Sequence, residues 1–245
     1  MICHRDSIHG CQALFFPAQS VDHGGNVGLL MAGLRSTVLL KQFPEWTLAW
    51  QTAGYTVAAY DFRDDRFTWG SDVSIATLDA LLDAAQQRWP VRRPIVCGSS
   101  RGGLTTLVWA HRNQGVPVAW FGLNPVIDLD AFYDLPGRAI SLNAAYAIAN
   151  KSELLRNVCP RTNPIDLAPE LNWLPMRTWQ GREDTVTPPH ALERFHSIVR
   201  RAGGSHSIVY GSGGHATYES VRDQFDAGSQ IRFAREAESC SIQSE

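Results

Sequence analysis

Short apolar runs alternate with longer amphipathic segments along most of this 245-residue chain. The run 93–99 (RPIVCGS) precedes 102–115, and the run 174–181 (LPMRTWQG) precedes 189–204, where apolar residues recur at helical spacing. Strands that alternate with helices form βαβ units, which build a mostly parallel sheet. The apolar runs are continuous, as expected for strands covered by helices on both faces. The pattern predicts a single α/β domain over residues 1–245.

One segment does not fit the alternation. Residues 126–173 contain helical patterns without a strand, and we interpret approximately 129–172 as a small helical cap inserted between two strands. The segment 28–54 has a mostly helical pattern that Pro44 interrupts. The remaining predicted strands are 11–18, 55–62, 117–125 and 206–214, and the remaining predicted helices are 72–89 and 216–239, the last interrupted near Gly228.

Composition excludes several classes of function. Hydrophobic residues make up 44% of the chain, enough for one sizeable core, and the net charge of −2 offers no basic excess for nucleic acid. Five cysteines without CxxC spacing argue against disulfides and zinc, and no His, Asp or Glu group has ligand spacing, so neither a metal nor a cofactor is expected. No signal peptide is visible and no apolar run reaches the ~18 residues of a membrane span. We expect a soluble, cytoplasmic protein with no membrane partner; its oligomeric state is left open.

The stretch GSSRG (98–102) satisfies G-x-S-x-G, with Ser100 in the middle. It follows a predicted strand and opens a predicted helix, which is the context of a nucleophile elbow. Small residues two positions either side allow the backbone to turn sharply, and the amide of Arg101 at the helix start is the first candidate donor to an oxyanion. The alternative is a glycine-rich βα turn without catalytic function. A Walker-type phosphate loop is not supported, because no lysine follows the glycines.

A serine nucleophile needs a base and an acid that orients the base. Asp184 follows the strand 174–181, and His215 follows the strand 206–214 in a glycine-rich loop. Taken alone, Asp184 could be a loop carboxylate without catalytic function, and His215 could be a structural histidine at the start of a helix. Together with Ser100 they all follow strands, and their order is Ser, Asp, His, so we predict a catalytic triad. Asp128, after the strand 117–125, is the fallback acid; its ordinary role would be to start the cap.

The chain resembles the α/β-hydrolase superfamily, in the style of its prolyl-oligopeptidase-like and dienelactone-hydrolase-like branches. The resemblance rests on GYTVAAYDFR (54–63), GSSRGG (98–103), GREDTVTPPHA (181–191) and GGHATY (213–218). The G-x-S-x-G and G-x-x-D-x-x-V patterns mark the superfamily without fixing a substrate. The resemblance implies acyl transfer to water through a serine ester, with Ser100 as nucleophile, His215 as base and then acid, and Asp184 as its orienting group.

Two departures from the family pattern stand out. The family begins with two more strands, and we interpret 11–18 as its third, so we expect an α/β-hydrolase fold trimmed at its N-terminal edge, with helices on both faces of the sheet. The propeller of the peptidases is not seen, which favours an esterase over a peptidase. The second oxyanion donor follows the third strand in the family. That rule selects the backbone amide of Gln19, with Gly24 in DHGGN (22–26) as the alternative.

The sequence therefore predicts a serine hydrolase that cleaves a small or medium carboxylic ester. A peptidase or amidase and an acyltransferase share the mechanism and stay open as alternatives. A protein of the same fold that only binds a ligand is the alternative from another class. Aromatic residues in and beside the cap are expected to line the substrate pocket: Phe132, Tyr133, Tyr146 and Trp173.

Overall fold

The computed structural model describes residues 2–19, 27–33, 44–215 and 226–242. In these ranges the strands form one eight-stranded sheet in the order β1-β2-β4-β3-β5-β6-β7-β8. The strand β2 runs antiparallel to β1 and β4, whereas the strands from β3 to β8 are parallel to one another. The strands are β1 His4–Ile8, β2 Cys11–Phe16, β3 Val27–Gly33, β4 Thr56–Asp61, β5 Arg93–Ser99, β6 Ala119–Leu123, β7 Met176–Gly181 and β8 His206–Gly211.

Helices cover both faces of the sheet, as the alternating pattern predicts. They are α1 Pro44–Thr52, α2 Asp72–Arg88, α3 Arg101–Arg112, α4 Leu129–Tyr133, α5 Arg138–Tyr146, α6 Lys151–Glu153, α7 Cys159–Thr162, α8 Pro164–Leu167, α9 Pro189–Arg201 and α10 Ala227–Ile242. Shorter 3-10 turns occupy Asp65–Phe67 and Ala168–Leu171, and a π-helical turn occupies Leu154–Val158. The described part of the predicted last helix, 216–239, contains α10, and residues 216–225 lie outside the described residues.

Neighbouring residues of the central strands belong to two separate cores. On one face Val96 and Trp120 pack with α2, α3, α9 and the helices that follow β6. On the other face Ile95 and Phe121 pack with α1 and α10. The indole N–H of Trp46 in α1 donates to Gln230 of α10 at 2.8 Å. This alternation explains why the strands read as continuous apolar runs, since both faces are buried.

The helical reading of 28–54 was wrong in its first part. Residues 27–33 form β3, which pairs in parallel with β4 on one side and β5 on the other. A continuous apolar run such as VGLLMAG has no alternation, so periodicity does not separate a central strand from a buried helix. The helical part is α1, which begins at Pro44, where proline suits the first turn of a helix.

The expectation of a trimmed N-terminal edge was also wrong. The strand at 11–16 is the second strand of the sheet, and β1 precedes it as its hairpin partner, with Ile8 opposite Cys11. β1 has charged and polar residues, HRDSI, and four of its five side chains are at least partly exposed, so it lacked an apolar signal. The third strand in chain order is therefore β3, one strand later than the sequence suggested.

The chain between β6 and β7 is a succession of short helices and turns, α4 to α8 and Ala168–Leu171. It coincides with the segment interpreted as a cap; that it acts as a cap over a site stays a prediction. Within the described part of the chain, none of the helices has the length and apolar character needed to cross a membrane.

Candidate active site

Ser100 lies between β5 and α3 in a sharply turned backbone. Its φ of 52° and ψ of −119° fall outside the regions that non-glycine residues favour, at a cost of about 1–3 kcal/mol. A Cβ atom at Gly98 would lie 2.2 Å from the Gly102 carbonyl oxygen, and one at Gly103 would lie 2.5 Å from Pro125 Cβ. The two glycines are therefore required by the close approach of the strand, the helix and the loop after β6. The sequence pattern predicts this for Gly98, whereas it did not single out Gly103.

The three residues predicted from the sequence meet at the carboxyl end of the sheet. His215 Nε2 lies 2.9 Å from Ser100 Oγ. On the other side of the ring, His215 Nδ1 lies 2.9 Å from Asp184 Oδ2. With the imidazole neutral and its proton on Nδ1, the ring donates to the carboxylate and accepts from the serine hydroxyl. The arrangement forms one hydrogen-bonded chain from carboxylate to hydroxyl.

Asp184 is buried but surrounded by donors. The amides of Val186 and Thr187 donate to Oδ1 at 2.9 and 2.8 Å, and the Thr187 hydroxyl donates to Oδ2 at 2.7 Å. Burial on its own would raise the pKa of Asp184, but the bonds from His215 and from the Thr187 amide outweigh burial, so the pKa is lowered. The carboxyl is therefore ionised at neutral pH, as a group that orients an imidazole must be.

Two residues that the sequence analysis did not single out support this acid. Thr187 is buried, and it occupies the last place of the G-x-x-D-x-x-V pattern counted from Gly181, so the pattern is not complete here. A polar residue at that place was the signal available in the sequence. Asn124, at the end of β6, has a φ of 44°, and its side-chain oxygen accepts from the Gly181 amide at 2.8 Å. It ties β6 to the start of the acid loop.

The two predicted oxyanion donors are placed very differently. The Arg101 amide is the first of α3, and amides at a helix N-terminus have no carbonyl partner within the helix. Gln19 follows β2, whose end pairs with the beginning of β4, so it lies at the amino edge of the parallel strands, away from Ser100. Its amide donates to the Gln51 carbonyl at 3.0 Å. Gln19 is therefore not an oxyanion donor, and the alternative, Gly24, lies outside the described residues.

The Arg101 side chain is mostly buried rather than free on the surface. Its guanidinium donates to Asp65 at 2.9 Å and lies 5.2 Å from the centre of the Trp69 ring. Ser141 Oγ, in α5, accepts from the Trp69 indole N–H at 2.8 Å and lies 3.4 Å from the guanidinium. The residue next to the elbow is thereby connected to the helices after β6.

The aromatic residues expected to line a pocket differ in their surroundings. Phe132 is buried and packs against Trp69 with ring centres 5.2 Å apart. The hydroxyl of Tyr133 donates to Asn143, and that of Tyr146 donates to the Trp69 carbonyl, so both tie the inserted helices together or to the loop after β4. Trp173 precedes β7 and packs against the core at the amino edge of the sheet, so it does not line a pocket at Ser100.

A cavity of about 200 Å³ adjoins the acid loop, between α4 and the start of α9. Its walls are mainly apolar, with Val126, Phe132 and Leu192 among them, and Thr187 forms part of its lining. Asp128, the fallback acid, lies on its wall, but its carboxylate accepts from the amides of Asp130 and Ala131 and caps α4. The imidazole is bonded to Asp184, so Asp128 has the ordinary role that the sequence analysis also allowed.

No protein-family model and no curated protein sequence matches the chain. Solved structures do match. The chain is similar to a puromycin-hydrolyzing peptidase from Mycobacterium tuberculosis, with 18% identity and a TM-score of 0.74 over 96% of this chain and 40% of that one. It is similar to an S-formylglutathione hydrolase from Agrobacterium tumefaciens, with 13% identity and a TM-score of 0.70 over 94% and 92% of the two chains.

A third structure, a carboxylesterase from Lactobacillus plantarum, has 16% identity and a TM-score of 0.69, over 96% of this chain and 98% of that one. The chain thus spans about two fifths of the puromycin-hydrolyzing peptidase, but nearly the whole length of the two smaller enzymes. The likeness is to the fold, which in the described residues is a mostly parallel sheet with helices on both faces. The chain has the α/β-hydrolase fold.

Proposed function

We propose that this protein is a serine hydrolase that cleaves a small or medium carboxylic ester through an acyl-enzyme intermediate. The observation that carries the proposal is the continuous hydrogen-bonded chain from Asp184 through His215 to Ser100, with both links at 2.9 Å. A structural loop histidine would not need a buried carboxylate on one nitrogen and a strained serine on the other. That combination is what nucleophilic catalysis by serine requires.

In the first half-reaction Ser100 Oγ attacks the ester carbonyl carbon while His215 Nε2 takes the hydroxyl proton. The carbonyl oxygen becomes an oxyanion, and the Arg101 amide donates a hydrogen bond to it, aided by the N-terminus of α3. The tetrahedral intermediate collapses as His215 returns the proton to the departing alcohol. Asp184 holds the imidazole in the correct tautomer and balances the charge of the imidazolium.

In the second half-reaction water replaces the alcohol. His215 removes a proton from water, the hydroxide attacks the acyl carbon, and the proton passes to Ser100 as the acid leaves. A second oxyanion donor follows the third strand in the resembling family. In this chain that strand is β3, and the residues that follow Gly33 lie outside the described residues.

An amide is the second candidate substrate. Two of the similar structures are described as puromycin-hydrolyzing enzymes, one of them a peptidase, whereas the smaller similar enzymes act on esters or thioesters by their names. We favour an ester because a carboxylesterase and an S-formylglutathione hydrolase are both among the similar structures. Transfer of the acyl group to an acceptor other than water uses the same residues.

A cytoplasmic location stays a prediction from the sequence.

The first experiment is labelling with a fluorophosphonate probe, read by intact mass, on the wild type and on Ser100→Ala. We expect one adduct on the wild type and none on the variant. Turnover of p-nitrophenyl acetate and butyrate, measured in parallel, should fall by about 10³-fold or more in the variant. An unlabelled, inactive wild type would contradict the proposal and favour a protein that only binds a ligand.

A second panel separates the substrate classes. Aminoacyl p-nitroanilides report amide cleavage, and products formed with added alcohols or amines report acyl transfer. If the anilides are cleaved with kcat/KM equal to or above that of the matched esters, the peptidase reading replaces the esterase reading. If acyl alcohols or acyl amides form in preference to the free acid, the protein is an acyltransferase.

A further inference from the structure

The hydroxyl of Thr187 has three polar atoms within reach and only one proton. Oγ1 lies 2.7 Å from Asp184 Oδ2, 3.1 Å from His215 Nδ1 and 3.2 Å from the Asn124 carbonyl oxygen. The side chain is buried, so water does not compete for these contacts. The shortest contact is to the carboxylate oxygen that also accepts from His215. Two donors thus meet on one oxygen atom.

Two donors on one carboxylate oxygen share its negative charge. The Oδ2 atom accepts from the imidazole at 2.9 Å and from the threonine hydroxyl at 2.7 Å, with the Gln180 amide farther away at 3.4 Å. Each additional donor stabilises the ionised carboxylate and weakens its attraction for the imidazolium. The threonine hydroxyl should therefore make His215 less basic than it would be if the carboxylate oxygen accepted no hydrogen bond from Thr187.

We propose that Thr187 is a positioning residue that acts through Asp184 to lower the pH at which His215 becomes a competent base. The inference rests on the proposed function, in which neutral His215 removes the serine proton. The hydroxyl keeps the carboxylate ionised and aimed at Nδ1 while limiting how strongly it holds a proton on the ring. The enzyme then stays active at lower pH than one with valine at this place.

Other ionisable groups around the pair are few in the described residues. Arg182 and Glu183 precede Asp184 on its own loop and are exposed. On the side of α4 and α9, Asp128 and His190 line the cavity that Thr187 also lines, with Arg194 4.0 Å from Asp128. Gln180 of β7 and Asn124 of β6 are neutral. His190 is an exposed ionisable group that lines the same cavity, so its contribution has to be separated by experiment.

The test compares Thr187→Val, which removes the hydroxyl at nearly constant volume, with Thr187→Ser, which keeps it. The readout is the acidic limb of the kcat/KM profile with p-nitrophenyl butyrate. We expect the limb of Thr187→Val to move upward by about 0.5–1 pH unit, whereas Thr187→Ser stays at the wild-type position. Thr187→Ala is the second hydroxyl-free variant and should move in the same direction. Repeating the Val comparison in a His190→Gln background should leave the shift in place.

Four results would overturn the proposal: no movement in Thr187→Val, a movement to lower pH, equal movement in Thr187→Ser, or loss of the shift in the His190→Gln background. A purely structural role would lower kcat/KM at all pH values without moving the limb. NMR titration of the His215 ring, assigned by its loss in His215→Asn, gives the same comparison without turnover. It therefore tests the role of Thr187 even in a protein that shows no hydrolase activity.

Discussion

Asp184 uses its two oxygens for different purposes. Oδ1 receives two amides of its own loop, and Oδ2 receives His215 and Thr187. Asp184→Asn keeps an oxygen for the amides and places an NH₂ group where the imidazole donates. The ring is then held in the wrong tautomer, so we expect kcat to fall by about 10³–10⁴-fold while the melting temperature changes little.

Asp128→Asn and Asp134→Asn are the matched controls for this prediction. Asparagine at 128 can still cap α4, and Asp134 is an exposed partner of Lys151. Neither change should approach the loss in Asp184→Asn. A larger loss in Asp128→Asn than in Asp184→Asn would reassign the acid.

Gly98 and Gly115 differ in the reason why they are glycine. Gly98 has no room for a side chain, whereas Gly115 has a φ of +82° and nothing within 4 Å of an added Cβ. Gly115→Ala should cost about 1 kcal/mol through backbone strain alone. Gly98→Ala forces the strand and helix apart, so we expect at least 3 kcal/mol or failure to fold, measured by urea denaturation. Equal costs for the two variants would contradict the clash.

At the residue scale, the sequence was sufficient to predict that the three candidate catalytic residues meet. It was insufficient to predict the residues that bond to them or to their loops. Ser100, Asp184 and His215 each follow a recognisable strand, so their convergence could be predicted from chain order. Thr187 and Asn124 act through contacts between loops that are distant in sequence, and no local pattern reports such contacts. Gln19 was misassigned because the strand before it was taken for β3, and one strand of error moved the residue to the opposite edge of the sheet.

Two hydroxyls of helix α5 bond to Trp69 near the elbow: Tyr146 donates to its carbonyl, and Ser141 accepts from its indole. Ser141 Oγ accepts from the Trp69 indole N–H at 2.8 Å, and Trp69 is fully buried. Ser141→Ala leaves that donor without its acceptor, which should cost about 1–3 kcal/mol and lower hydrogen-exchange protection over residues 138–146. The measurement is exchange mass spectrometry together with a thermal melt.

Ser152→Ala is the control for this change, because Ser152 is exposed and its hydroxyl accepts from the exposed Arg156 guanidinium at 3.2 Å. Its stability should stay within about 0.5 kcal/mol of the wild type. If Ser141→Ala behaves in the same way, the hydroxyl does not hold α5 in place.

A helix or strand could be predicted from the sequence where the spacing of its apolar residues fits one of the two structures and not the other. The amphipathic spacing of 72–89 predicted α2 almost to the residue. The capping residue is Ser71, whose side chain accepts from the Ser74 amide, and not Asp72 or Ser74 as the sequence suggested. β3 carries an unbroken apolar run, and β1 is a polar edge strand, so the first resembled a helix and the second resembled a loop. In both cases pairing with distant strands, rather than local preference, decides the conformation.

At the scale of the whole molecule, a histidine outside the candidate active site has a strongly lowered pKa. His206 at the start of β8 is buried beside His196, with ring centres 5.1 Å apart, and bonds through Nε2 to the Thr178 hydroxyl. Burial, and to a lesser extent His196, lowers the pKa of His206 from 6.5 to about 3. The unfolded chain therefore binds one more proton between these values, so stability is full above pH 6.5 and is lost as the pH falls.

We expect this histidine to remove about 2–3 kcal/mol of stability by pH 4.5. His206→Gln, which keeps a group able to bond Thr178, should flatten the dependence of the unfolding free energy between pH 6.5 and 4.5. The exposed His190→Gln serves as the control and should follow the wild-type curve. Parallel curves for all three proteins would show that His206 is not the titrating group.

The position of β3 also affects how the chain can assemble as it leaves the ribosome. Residues 27–33 form an interior strand, yet both of its partners, 56–61 and 93–99, are synthesised later. While only β4 has been synthesised, β3 has a partner available for one edge and none for the other, which is open to other chains. Parallel pairing over such a separation is also slow. We expect the nascent protein to be more prone to aggregation before β5 is complete than after it.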